Sequence, residues 1–116
     1  VMALETAHTT DIRFEGFTPG TEIWGVTQAN FLVRLSGAHG KETAVQLNDP
    51  AARMLAEATG NVDSAEFRER AAQAAGEAIL TDVAARGASP ESIIVASNGY
   101  FADFPDLLER VKAALA

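Results

Sequence analysis

The chain contains no cysteine. Disulfides, thiolate metal ligands and cysteine nucleophiles are therefore excluded. Histidine is scarce, with only His8 and His39, and neither stands at metal-ligand spacing from acids. A GxSxG nucleophile elbow is missing, and so is any Ser-His pair arguable from sequence. The expectation is a chain with no catalytic residue, no metal site and no cofactor. Basic charge is short as well. Nine Lys and Arg stand against sixteen Asp and Glu, for a net charge of −7. Sequence-independent binding of nucleic acid needs a cationic surface, so a nucleic-acid partner is not expected. Long hydrophobic runs are also lacking. The longest span about five residues, far short of the ~20 that cross a bilayer, so no membrane partner is expected. The opening "VMALETAHTT" has neither a basic n-region nor an apolar h-region. A soluble, cytoplasmic protein is the expectation.

With 116 residues, the chain has the size of one domain. A hydrophobic fraction of 47% provides enough apolar surface to offset the entropy of ordering. The acids are scattered and interleaved with arginines such as Arg34, Arg53 and Arg70. This pattern reads as a solvated surface rather than an acidic face gathered for one partner.

Residues 1–10 show no period and read as a flexible N-terminal arm. Residues 11–116 read as a single α+β domain. Ile12 and Phe14 alternate with Asp11, Arg13 and Glu15, the pattern of a half-buried strand. Pro19-Gly20 signals a turn, and "EIWGVT" (22–27) reads as a further β-rich piece. "NFLVRLSG" and "ETAVQL" alternate again. Between them lies "SGAHGKET" (36–43), which looks at first like a phosphate-binding loop. Its spacing is wrong for one, Glu42 follows Lys41, and the next element alternates like a strand, so a hairpin turn is the better reading.

The period then changes. "NDPAARMLAEATG" carries helix start signals at Asp49 and Pro50 and a stop at Gly60. A long helix is expected over 64–86, with Asp63 and Glu66 as a capping box. Its interior, "AAQAAGEAIL", is poor in bulk. Gly76 in mid-helix costs ~1 kcal/mol relative to Ala, which suggests close approach of the sheet or of another helix. "IIVAS" reads as a buried strand, "NGYFADF" as a loop, and the remainder as a final helix capped by Asp103. The expected fold is thus α+β: an antiparallel β-meander of three to four strands, two helices, a further strand and a C-terminal helix packed on the sheet.

The candidate binding residues are Asn98, Tyr100 and Phe101 in "SNGYFADF", together with Trp24. The loop follows a strand and leads into a helix, a place where ligand sites recur. Exposed Tyr and Phe are favoured anchors for protein partners. For Trp24 itself, a core position on a strand is the simpler expectation. The leading functional reading is a small, non-enzymatic protein-binding or regulatory domain. It would act through the aromatic loop and the surface of the Ala/Gly-rich helix, and it would pair with itself as a homodimer. One alternative is a small-ligand-binding protein or enzyme with a pocket lined by Trp24, Tyr100 and Phe101, using Glu22, Asp103 or His39. Another is a structural subunit tethered through the N-terminal arm.

Overall fold

The computed structural model describes residues 10–35 and 39–116. Most of the arm, including His8, and residues 36–38 of the hairpin lie outside the described residues. Strand β1 (Thr10–Thr18) is followed by a 3-10 turn (Thr21–Trp24), then β2 (Val26–Leu35) and β3 (Lys41–Asn48). Two helices come next, α1 (Asp49–Thr59) and α2 (Ala65–Ala85). Strand β4 (Ile93–Ala96) and helices α3 (Asn98–Asp103) and α4 (Pro105–Leu115) complete the chain.

The sheet order is β1-β2-β3-β4. The first three strands form the antiparallel meander, and β4 lies parallel to β3. The registers run from Thr10↔Leu35 to Thr18↔Gln28, from Val26↔Asn48 to Val33↔Lys41, and from Ala44↔Ile93 to Leu47↔Ala96. The fold is α+β, as the patterning implies, with the helices on one face of the sheet.

Alternation decides which side chains the helices cover, because successive residues of a strand point to opposite faces. Ala29, Phe31 and Val33 of β2 and Thr43, Val45 and Leu47 of β3 are buried. The apolar ones meet Leu55 of α1, Ile79 and Leu80 of α2, Phe101 of α3 and Val111 of α4 in one core. Gly76 explains itself here. A Cβ at that position would overlap Cε1 and Cζ of Phe31. What approaches α2 is therefore an aromatic ring from the sheet, not another backbone. Ala71, Ala72 and Ala75 are buried on the same helix, so its small-residue surface is consumed by internal packing.

Several local expectations are corrected. Asn48, not Asp49, caps α1: its Oδ1 accepts from the Ala51 N–H at 3.0 Å. Ser64, not Asp63, caps α2, with its Oγ accepting from Phe67 N–H at 3.0 Å. In both cases the residue one position earlier or later keeps its carboxylate for Arg68. Only the end of "EIWGVT" is strand: Val26 and Thr27 open β2, whereas Glu22, Ile23 and Trp24 are not extended. Gly20 and Gly25 adopt φ of 83° and 75°, which L side chains rarely take, and the residues between them wind into the 3-10 turn. "NGYFADF" is not a loop either. The Ser97 Oγ accepts from Tyr100 N–H at 3.1 Å, and this cap starts α3.

Candidate functional site

After Val62, the 3-10 turn that joins β1 to β2 holds the most exposed of the large apolar side chains among the described residues. Ile23 is 77% exposed and Trp24 78%. The turn is held at both ends by hydrogen bonds. Thr21 Oγ1 donates to the Thr18 carbonyl at 3.3 Å, and Gly25 N–H donates to the Glu22 carbonyl at 3.0 Å. Asp49 N–H then donates to the Gly25 carbonyl at 2.9 Å, tying the turn to the start of α1. The apolar pair is thus presented on a fixed backbone.

Beside the turn, a cleft of about 820 Å³ separates it from the start of α2. Phe17, Glu22, Asp63, Arg68 and Glu69 are among its lining residues. Arg68 is gripped from two directions. Its Nη1 lies 2.7 Å from Asp49 Oδ1, and its Nε and Nη2 donate to the two carboxylate oxygens of Asp63 at 2.7 and 2.8 Å. The hydrogen bonds from Arg68 hold the Asp63 carboxyl below its ordinary range against a smaller opposing effect of burial. The same hydrogen bonds push the Arg68 guanidinium up. The Asp63–Arg68 pair stays charged through the neutral range and has no proton to exchange, while the ion pair of Arg68 with Asp49 ties α2 to α1. Glu22 and Glu69 leave the rim of the cleft acidic.

The second candidate region is α3. Tyr100 is half-buried, with ring centroids 6.1 Å from Phe101 and 4.9 Å from Phe104. The Arg86 guanidinium carbon sits 5.9 Å from the Phe104 ring. Burial pushes the Tyr100 phenol up, with Arg86 opposing and Asp82 and Glu91 adding to the rise. It remains a neutral hydroxyl at physiological pH. Phe101 is 1% exposed and belongs to the core; on a helix, adjacent residues point about 100° apart, so Phe101 turns inward while Tyr100 does not. Phe101 as an exposed anchor is therefore corrected, and so is Trp24 as a core residue. Asn98 is exposed at the first position of α3.

The structure thus divides the sequence candidates. Asn98, Tyr100 and Phe101 share α3, whereas Trp24 stands on the β1–β2 turn. Glu22, Asp103 and His39 are all exposed on separate elements. Among the described residues, no three His, Cys, Asp or Glu gather to hold a metal ion, and no helix is long and apolar enough to cross a membrane.

The third surface is the sheet face away from the helices. It carries a polar network across three strands. Gln46 Nε2 donates to Gln28 Oε1 at 2.9 Å, Gln28 Nε2 to Asn30 Oδ1 at 2.9 Å, and Asn30 Nδ2 to Thr18 Oγ1 at 2.8 Å. At the β4 edge of this face the amides give way to Ile93 and Val95, which are 56% and 48% exposed. Sequence reasoning missed Ile23 and the Arg68 clamp. The signal for Ile23 was present in the two glycines that bracket "TEIW". The clamp joins residues from three segments and has no local signature. Comparison with protein-family models, curated proteins and solved structures finds no match for this chain.

Proposed function

We propose that the protein is a small, non-enzymatic protein-binding domain whose contact surface is built on Ile23 and Trp24, and that it also associates with itself. The observation that carries the reading is the adjacent pair of exposed apolar side chains, one of them the chain's only tryptophan, on a hydrogen-bonded turn. Buried aromatic side chains dominate interface energetics, and tryptophan leads among hot-spot residues. A turn needs only glycine, proline and small polar residues, so local structure does not require Ile23 or Trp24. Because the backbone is already held, binding would order little and forfeit little entropy. The acidic rim of the neighbouring cleft, with Glu22 and Glu69, favours a protein partner whose contact carries basic residues around an apolar centre. The overall excess of acid speaks for protein rather than nucleic acid as the partner.

The test is a paired affinity capture from the source cells, with the wild type and a folded Ile23→Ser/Trp24→Ala variant as baits. A protein retained by the wild type and lost by the variant supports the reading. Identical retained sets would overturn it.

A further inference from the structure

The two edges of the sheet are built differently. At one edge, β1 carries Asp11, Arg13 and Glu15 on its outward face and a bulge between Phe14 and Gly16. Charges and bulges are the devices by which edge strands avoid pairing with another chain. At the other edge, β4 and its flanks read "SIIVAS" (92–97), with no charge, no proline and no glycine. Ile93 and Val95 expose their side chains there.

The hydrogen-bond pattern says which backbone groups are free. The Ala44 N–H donates to the Ser92 carbonyl at 2.8 Å. Within a strand, the N–H and C=O of one residue point the same way and alternate with those of the next. Ser92, Ile94 and Ala96 therefore turn their backbone groups to β3. Ile93 and Val95 turn theirs to the open edge, where no hydrogen bond among the described residues takes them up.

We propose that β4 is the self-association edge: two copies of the chain pair β4 antiparallel to β4 about a two-fold axis at Ile94, joining two four-stranded sheets into one. The strand is self-complementary under that operation. Ile93 of one copy lies opposite Val95 of the second copy, and their N–H and C=O groups satisfy one another. Two β-branched side chains then meet on the outer face, a favourable cross-strand pair. Charge agrees with this choice of occupant. The ionised residue nearest to the strand in sequence, Glu91, lies opposite Ser97 of the second copy, so the two Glu91 carboxylates sit roughly 20 Å apart along the ribbon, beyond the ~8 Å screening length of physiological salt. In a chain of net charge −7, the paired segments 92–97 thus bring no like charges together.

The proposal rests on the self-association half of the functional reading and names its surface; the Ile23–Trp24 contact is separate. It is tested by light scattering after size exclusion over a dilution series. Val95→Pro removes an N–H that points away from β3, so it spares the internal ladder. Val95→Lys places a charge on the shared face and leaves the backbone intact. The wild type is expected at twice 12.2 kDa, with both variants folded by circular dichroism and monomeric. If the proline variant fails to fold, the lysine variant decides. Because the chain has no cysteine of its own, register can be checked directly. Ile93→Cys/Val95→Cys should give a covalent dimer on oxidation, since paired residues lie ~5.5 Å apart. Neither single cysteine should, because identical positions are more than ~7 Å apart in this register. A monomeric wild type overturns self-association altogether. A dimer that survives Val95→Lys and gives no crosslink overturns the β4 edge alone and sends the interface elsewhere. A wild-type monomer that captures a different protein through β4 assigns the edge to a foreign strand and likewise overturns the proposal.

Discussion

Gly76 shows how a single residue carries information that composition hides. In an isolated helix, Gly→Ala gains ~1 kcal/mol. Here the added methyl would enter the space of the Phe31 ring, which is itself 1% exposed and packed on Phe14 at 5.6 Å. Overpacking of this kind costs about 1–3 kcal/mol, so Gly76→Ala is expected to lower stability despite its better helix propensity. Urea unfolding followed by circular dichroism checks the sign. Asp63 is a second case. Its carboxyl titrates lower in the folded state because Arg68 favours the charged form. A depressed folded value stabilises the protein above the unfolded aspartate value of about 3.9, and that contribution disappears as pH falls through the folded value. Asp63→Asn should therefore cost up to about 1 kcal/mol at neutral pH, the scale of a partly exposed ion pair. The gap between variant and wild type should close in acid. Urea midpoints measured at neutral pH and at successively lower pH below the unfolded aspartate value provide the comparison.

Among the elements, β1, β2 and β3 were legible in the sequence because the sheet is covered on one face only, whereas "IIVAS", read as buried, exposes Ile93 and Val95. Burial of one face forces alternation, and alternation is visible as Ile12, Phe14 or Thr43, Val45, Leu47. The same vocabulary misleads over the first half of "EIWGVT", where Ile23 and Trp24 are strand-prone residues, while Val26 and Thr27 do open β2. Two left-handed glycines and the Asp49 hydrogen bond override that propensity and turn the segment outward. "NGYFADF" misleads in the opposite direction. Asn-Gly is a turn signal, yet the Ser97 cap and the burial of Phe101 make it a helix. The two aromatic elements should consequently respond in opposite ways to truncation. Trp24→Ala is expected to leave stability within about 0.5 kcal/mol, as surface changes do. Phe101→Ala is expected to cost about 3–5 kcal/mol, as large-to-small changes in a core do. Thermal or urea unfolding of the two variants side by side measures the contrast.

At the scale of the whole molecule, the α+β class was legible, whereas the position of β4 was not. Two helices separate β3 from β4 in sequence, and their pairing is set by contacts such as Leu47↔Ala96 that leave no local trace. The candidate site was legible only in part for the same reason. Trp24 could be named from its type, but its exposure depends on the tie between the turn and α1. The core is closed, and the two surfaces proposed above lie outside it, an apolar turn for a partner and an uncharged edge for a second copy. The most direct test of the central claim is collisional quenching of Trp24 fluorescence, measured on the protein alone and again with its captured partner. The account predicts free access of the quencher in the protein alone and strong shielding in the complex. Access unchanged by the partner would contradict it, because the tryptophan would then lie outside the contact.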